Sequence, residues 1–311
     1  MAGFPIRFIP QTTKIRFLKH RWIAFFLSAM LLVGSIWMVF NQGLNLGIDF
    51  TGGTLIELRT QEKADLAQMR SLLDDDAFGE VSLQNFGDDR EVLIRMQAEE
   101  GNEATAVEQA KILLNAAIDG IDYRRVEYVG PTVGKELVRA GYTSLGLALV
   151  AMLLYIWFRF EWQFGVGGVV ALVHDTIALL GFYALMGLDF GLPAVAAILT
   201  VIGYSINDSV VIYDRIRENL RKYKKMPLEE VLDLSINETL SRTVLTGGTT
   251  LLALMALAWF GGEIIRGFSL AIGFGVVIGT YSSIYIAAPV LIFMQLRRDE
   301  QDAAEPAGAA S

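Results

Sequence analysis

The chain has 311 residues, 53% of them hydrophobic and only 19% charged. With a mean hydropathy of +0.43 this excludes an ordinary soluble domain and points to an integral membrane protein. A net charge of −8, from 26 basic and 34 acidic residues, argues against a nucleic-acid partner, and the absence of cysteine removes disulfides, thiolate metal sites, iron–sulfur clusters and thiol nucleophiles.

Residues 1–21 form a lead that ends in Lys14, Arg16, Lys19 and Arg21. The unbroken apolar run Trp22 to Phe40 that follows predicts a first membrane helix over 22–40. It is longer than a signal-peptide core, and no small-residue cleavage site follows it, so it reads as an uncleaved anchor. The basic cluster before it places the N-terminus in the cytoplasm under the positive-inside rule.

Residues 41–140 have the character of a soluble domain, with 19 acidic residues against 10 basic, and are expected on the periplasmic side. Thr54 to Arg59 predicts a strand, Ala64 to Leu73 a helix, Val81 to Phe86 and Glu91 to Met96 two strands, Glu103 to Ile118 a helix and Asp122 to Tyr128 a last strand. Turns are expected at Gly79, Gly87 to Asp89 and Gly120. This βαββαβ order is that of the ferredoxin-like, split βαβ arrangement.

Five further apolar runs occupy 141–298: Tyr142 to Phe158, Phe164 to Met186, Pro193 to Tyr213, Thr243 to Phe260 and Phe268 to Leu296. The expectation is therefore an α-helical membrane protein of six transmembrane helices, with the α+β domain between the first and second. Arg159, the basic run Arg215 to Lys225, and Arg297 with Arg298 put one set of connections, and both termini, in the cytoplasm. The tail 299–311, rich in alanine and acidic residues, is expected to be disordered.

Three ionisable groups lie deep in these runs. On a helix, Val201, Tyr204, Ser205, Asp208 and Val211 or Ile212 form one stripe, which gathers the polar groups on an inward face around Asp208. A carboxylate at that depth costs roughly 3 kcal/mol on insertion scales and by default marks function; the alternative is an inert, hydrogen-bonded Asp. His174 and Asp175 sit near the midpoint of the third span, as a proton relay or as a pair that fixes helix packing. Arg242 opens the fifth span, within reach of Asp208 or simply snorkelling to the interface. Gly275 and Gly279 form a small-residue packing signal. Gly130-Pro-Thr-Val-Gly134-Lys135 is one residue short of a phosphate loop and lacks its hydroxyl residue, so energy from an ion gradient is the reading, with no cofactor.

Five motifs recur in order: Gly47-Ile-Asp-Phe-Thr-Gly-Gly53, Val129-Gly-Pro-Thr-Val-Gly-Lys-Glu-Leu137, Val173-His-Asp175, Ile202-Gly-Tyr-Ser-Ile-Asn-Asp208-Ser and Asp214-Arg-Ile-Arg-Glu-Asn219. Over about residues 15 to 298 the chain resembles the SecD/SecF family of protein-export membrane proteins, in the resistance-nodulation-division superfamily. The resemblance implies a subunit of the inner-membrane Sec translocase that promotes export with the proton-motive force. The partners it implies are SecD, the SecYEG channel, YajC, the moving polypeptide and membrane lipid. It makes Asp208 and Arg242 the functional intramembrane pair, with His174 and Asp175 beside them in the relay. Gly203, Ser205 and Asn207 belong to the motif around Asp208, and Asp49, Gly52 and Gly53 to a segment that couples or supports the periplasmic domain. A small-molecule or lipid exporter of the same superfamily is the competing reading. One soluble domain and six spans look like half of a pseudo-symmetric machine, and no intramembrane protease or hydrolase motif appears.

Overall fold

A computed structural model describes residues 13–75, 78–97 and 102–294; Arg297, Arg298 and the expected disordered tail lie outside the described residues. Among these described residues six helices are long and apolar enough to cross a membrane, and a small sheet domain is inserted after the first.

Helix α1 (Arg21–Gln42) leads through a two-residue strand β1 (Asn45–Leu46) and a single turn α2 (Ile48–Thr51) into the sheet domain. There β2 (Gly53–Arg59), α3 (Leu66–Leu72), β3 (Val81–Phe86), β4 (Asp88–Met96), α4 (Glu103–Ala117) and β5 (Asp122–Val129) follow in turn. The sheet runs β3-β4-β2-β5, each neighbouring pair antiparallel. One face of β2 and β4, with Ile56, Leu58, Val92, Ile94 and Met96, buries itself against Met69, Ala110 and Leu114 of the two helices. The other face gives Leu55 and Leu93 to Ile48 of α2, so the central strands are buried on both sides. The β3–β4 turn is tighter than the expected Gly87 to Asp89 connection: Gly87 at φ 82° makes it alone, and Asp88 already pairs with Phe86.

The remaining spans are α5 (Pro131–Arg159), α6 (Trp162–Met186), α7 (Leu192–Lys222), α8 (Leu228–Phe260) and α9 (Gly262–Ser282). Strand β6 (Asp189–Phe190) lies between α6 and α7 and pairs in parallel with β1. Helices α7 and α8 run well beyond their apolar stretches. Ile216 of α7 and Leu232 and Ile236 of α8 are buried together there, and Asn219 donates to Ser235 (3.0 Å) and Glu238 (2.7 Å), so the hairpin packs on itself outside the apolar zone.

The sixth span is not one regular helix. A π-helical turn, Ser283–Ala287, separates α9 from α10 (Ala288–Phe293). Pro289 has no N–H and its ring would clash with a carbonyl four residues back, so the widened turn precedes it. Within this turn the Tyr213 hydroxyl of α7 donates to the Ala287 carbonyl at 3.4 Å.

The bundle core lies among α6, α7 and the α9–α10 segment. Phe40, Trp259 and Phe260 project at one end of the bundle and Trp22, Trp157, Phe158 and Trp162 at the other, all exposed, as aromatic belts at two membrane surfaces would be.

Candidate functional site

Helix α7 turns its buried face, Val201, Ser205, Asp208 and Ile212, toward α6 and α9, as the stripe predicts. Asp208 is only 3% exposed and accepts a long hydrogen bond, 3.4 Å, from the Thr280 hydroxyl of α9. Arg242 stands on the outward face of α8, and among the described residues no ion pair joins it to Asp208. Its charge reaches the carboxylate through space only.

Asp175 is far more heavily held. Its Oδ2 accepts from the hydroxyls of Ser205 (2.5 Å) and Ser282 (2.8 Å), and Oδ1 lies 3.0 Å from His174 Nδ1. Ser283 donates to the Ser205 carbonyl (3.2 Å) and its hydroxyl lies 2.9 Å from that of Ser209. One carboxylate thus binds α6, α7 and α9 together, just before the π-helical turn. His174 is buried, its Nε2 has no hydrogen-bond partner among the described residues, and its ring lies 6.1 Å from that of Tyr281. Tyr281 in turn donates to the Ala24 carbonyl of α1 at 2.8 Å and bonds Ser28 at 2.9 Å.

This network exists because α7 and α9 approach closely. A Cβ on Gly275 would fall 2.1 Å from a methyl of Val201, and one on Gly279 would fall 3.0 Å from Ser205 Cβ. Of the motif residues around Asp208, Ser205 joins the network, whereas Gly203 has only Met152 near it and Asn207 faces outward.

A second cluster joins the bundle to the sheet domain. Asp49, on α2, accepts the Leu192 N–H at 2.8 Å and so caps the start of α7. Gly191 lies so close that a Cβ would meet the Asp49 carboxylate at 2.6 Å. Gly52 and Gly53 have φ of 72° and 101°, and a Cβ on Gly53 would meet the Met96 carbonyl at 2.5 Å, so the turn into β2 requires both glycines. Arg95 of β4 reaches across to Asp189 at 2.7 Å and to the Asn45 side chain at 2.8 Å. Partial burial, with 37% of the side chain still exposed, holds the Asp189 carboxyl above the usual carboxylate range against the pull of Arg95, and Asp49 adds to the rise.

The sequence reading passed over Arg95, Asn45, Asp189, Thr280 and the bonding role of Ser282 and Ser283. The signal for the junction was a short internal repeat: Leu44-Asn-Leu-Gly-Ile48 and Leu188-Asp-Phe-Gly-Leu192 are the segments that pair as β1 and β6. For the network, it was three hydroxyls, Thr280, Ser282 and Ser283, crowded into an apolar span.

Residues 109–297 match the family model for the protein export membrane protein SecD/SecF C-terminal region, and 37–64 match that for the SecD/SecF GG motif. The chain is 48% identical over 304 residues to a protein translocase subunit SecF of Rickettsia bellii, covering 97% of this chain and 100% of that one. It is 47% identical over 301 residues to the SecF subunit of Rickettsia prowazekii, covering 96% of each. Among solved structures it is similar to the Thermus thermophilus SecDF, a translocon-associated membrane protein, with a TM-score of 0.85 and 36% identity over 94% of this chain. A SecDF structure in a super-membrane-facing form matches with a TM-score of 0.65 and 34% identity over 97% of this chain. The chain spans 40% and 41% of the length of those two solved chains.

Proposed function

The chain belongs to the SecD/SecF family of protein-export membrane proteins, and from that premise we propose that it couples the proton gradient to export through Asp208. It is a multi-pass inner-membrane protein and an auxiliary subunit of the Sec translocase, as its SecF relatives and the SecDF fold support. Its partner is a SecD subunit beside the SecYEG channel, with YajC as a further associate and the emerging polypeptide as cargo.

The orientation that fits the charge pattern has both termini in the cytoplasm and the sheet domain in the periplasm. The order of strands in the sheet supports reading that domain as ferredoxin-like.

The observation that carries the reading is a carboxylate buried in a membrane helix with one long hydrogen bond and a cation acting on it from a distance. Such a group is held loosely enough to exchange a proton, and its change of charge alters what the neighbouring helices must solvate. Asp208 lies sixteen residues, roughly 24 Å at 1.5 Å per residue, below the start of α7. At that start Asp49 caps the helix and Asp189 meets Arg95 of the sheet domain. A shift of α7 that follows protonation is thereby passed along a rigid rod to the domain that faces the cargo. His174 and Asp175 form the inner part of the relay, with Asp175 also the knot that sets where α6, α7 and α9 stand. Arg242, exposed on α8, fits a role in tuning Asp208 where a partner bundle covers that face.

Export of a preprotein into inverted membrane vesicles, with and without an imposed proton gradient, tests this. Asp208→Asn keeps shape and insertion, binds SecD as before, and abolishes the gradient-dependent increment. Full stimulation in the variant removes Asp208 from proton coupling.

A further inference from the structure

We propose that the notch between the ends of α5 and α7, at the end of the bundle away from the sheet domain, holds the phosphate headgroup of an anionic phospholipid. The notch is a shallow, open depression of about 540 Å³ lined by Arg159, Asp214, Arg217, Glu218, Arg221 and Lys222. It exists because α5 stops at Arg159 while α7 continues past that level, which the Arg159–Asp214 ion pair at 2.8 Å fixes, for roughly 12 Å more to Lys222.

The charges in it are unequal. Asp214 is neutralised by Arg159, and Glu218 is bonded by Arg215, which also binds Glu238. Arg217, Arg221 and Lys222 have no ion pair to a carboxylate among the described residues; because Glu218 and Glu238 share Arg215, and Lys222 also acts on Glu238 through space, the cluster keeps an excess of two positive charges. Two of the guanidiniums are also held in place. Arg217 donates to the Arg159 carbonyl at 3.1 Å, and Arg217 and Arg159 lie 5.6 and 5.1 Å from the centre of the same Phe160 ring. Held in this way, the Arg217 guanidinium is a preorganised donor with no carboxylate partner among the described residues, which an anion entering the notch can engage.

The surroundings identify the anion as a lipid. Trp157, Phe158 and Trp162 stand exposed beside the notch, at 70%, 89% and 59% of their accessible surface. Aromatic rings of this kind mark headgroup depth, and the apolar outer face of α5 below them receives acyl chains.

The experiment is native mass spectrometry of the purified full chain in detergent, titrated with phosphatidylglycerol, with cardiolipin, with phosphatidylcholine and with inorganic phosphate. The variants are Arg217→Gln/Arg221→Gln in the notch and Lys224→Gln/Lys225→Gln, which removes the same charge from the neighbouring loop. Anionic lipid binds wild type and the loop variant alike, binds the notch variant about 30-fold more weakly, as expected for two basic residues at an anionic surface, and is not displaced by millimolar phosphate. Equal weakening in both variants, equal binding of phosphatidylcholine, or displacement by phosphate overturns the proposal. Arg221→Gln alone, at an exposed residue with no ion pair, keeps the test open if the double variant does not fold, and must weaken binding by several-fold.

Discussion

Replacing Arg95 by Ala removes the cation that bonds the sheet domain to Asp189 at the bundle junction. Two hydrogen bonds go with it, at 2.7 Å to Asp189 and 2.8 Å to Asn45. A hydrogen bond to a charged group contributes about 1.5–3 kcal/mol when buried and much less when its partner is wet. The Arg95 side chain is only 10% exposed but that of Asp189 is 37% exposed. The charged bond is therefore discounted to about 1 kcal/mol, and with about 1 kcal/mol for the Asn45 contact the docking loss is about 2 kcal/mol. This is a factor of about 30 in the population with the junction open. Docking does not vanish, because the Asn45 side chain still donates to Gln84 at 3.0 Å and Ile48 still packs on Leu55 and Leu93. Spin-label distances between the sheet domain and α6 in detergent read this directly. The open, long-distance fraction rises about 30-fold in Arg95→Ala, while hydrogen exchange of amides inside β2 and β4 keeps its wild-type protection. An unchanged distance distribution would refute the latch, and faster exchange within the sheet would show that Arg95 holds the domain itself together.

Asp189 gives the junction a pH dependence of definite sign. Its carboxyl is raised in the docked state, so the docked state binds protons more readily than the open one, and docking strengthens on acidification and weakens as pH rises through the raised value. Spin-label distances between the sheet domain and α6 track this, Asp189→Asn flattens the profile, and loosening on acidification contradicts it. Gly275→Val drives α9 away from Val201 and costs about 1–3 kcal/mol by overpacking. Thermal unfolding in detergent falls accordingly, whereas Gly248→Ala, with nothing within 4 Å of its Cβ, shifts it little; equal effects would refute the close-approach argument. Arg242→Leu inserts normally and loses gradient-dependent export, since the field at Asp208 changes without any loss of packing; wild-type rates would leave Arg242 as a snorkelling residue only.

What the sequence made legible follows from what a run of residues can encode by itself. Apolar length located the membrane helices, because hydrocarbon thickness sets it, and the inward stripe on α7 was readable because helical periodicity is local. The extensions of α7 and α8 were missed because a counted apolar run ends where one face meets water, even though Ile216 and Leu232 on the other face stay buried. The break at Ser283 was legible in principle from Pro289, four residues beyond Tyr285, whose carbonyl its ring displaces. Partner choice was not. Asp175 was visible as a carboxylate beside a histidine, but its serine donors come from two other helices, and only the approach allowed by Gly275 and Gly279 brings them within 3 Å. The same limit explains Arg242. Its position at the start of an apolar run is local and was readable, whereas the direction it faces depends on how α8 is rotated by Thr243 and Gly247, which pack inward and turn the guanidinium out. Asp208 and Arg242 therefore meet as charge and field rather than as a bonded pair. That separation leaves the carboxylate responsive to movements of α8 as well as of α7, which a closed ion pair would suppress.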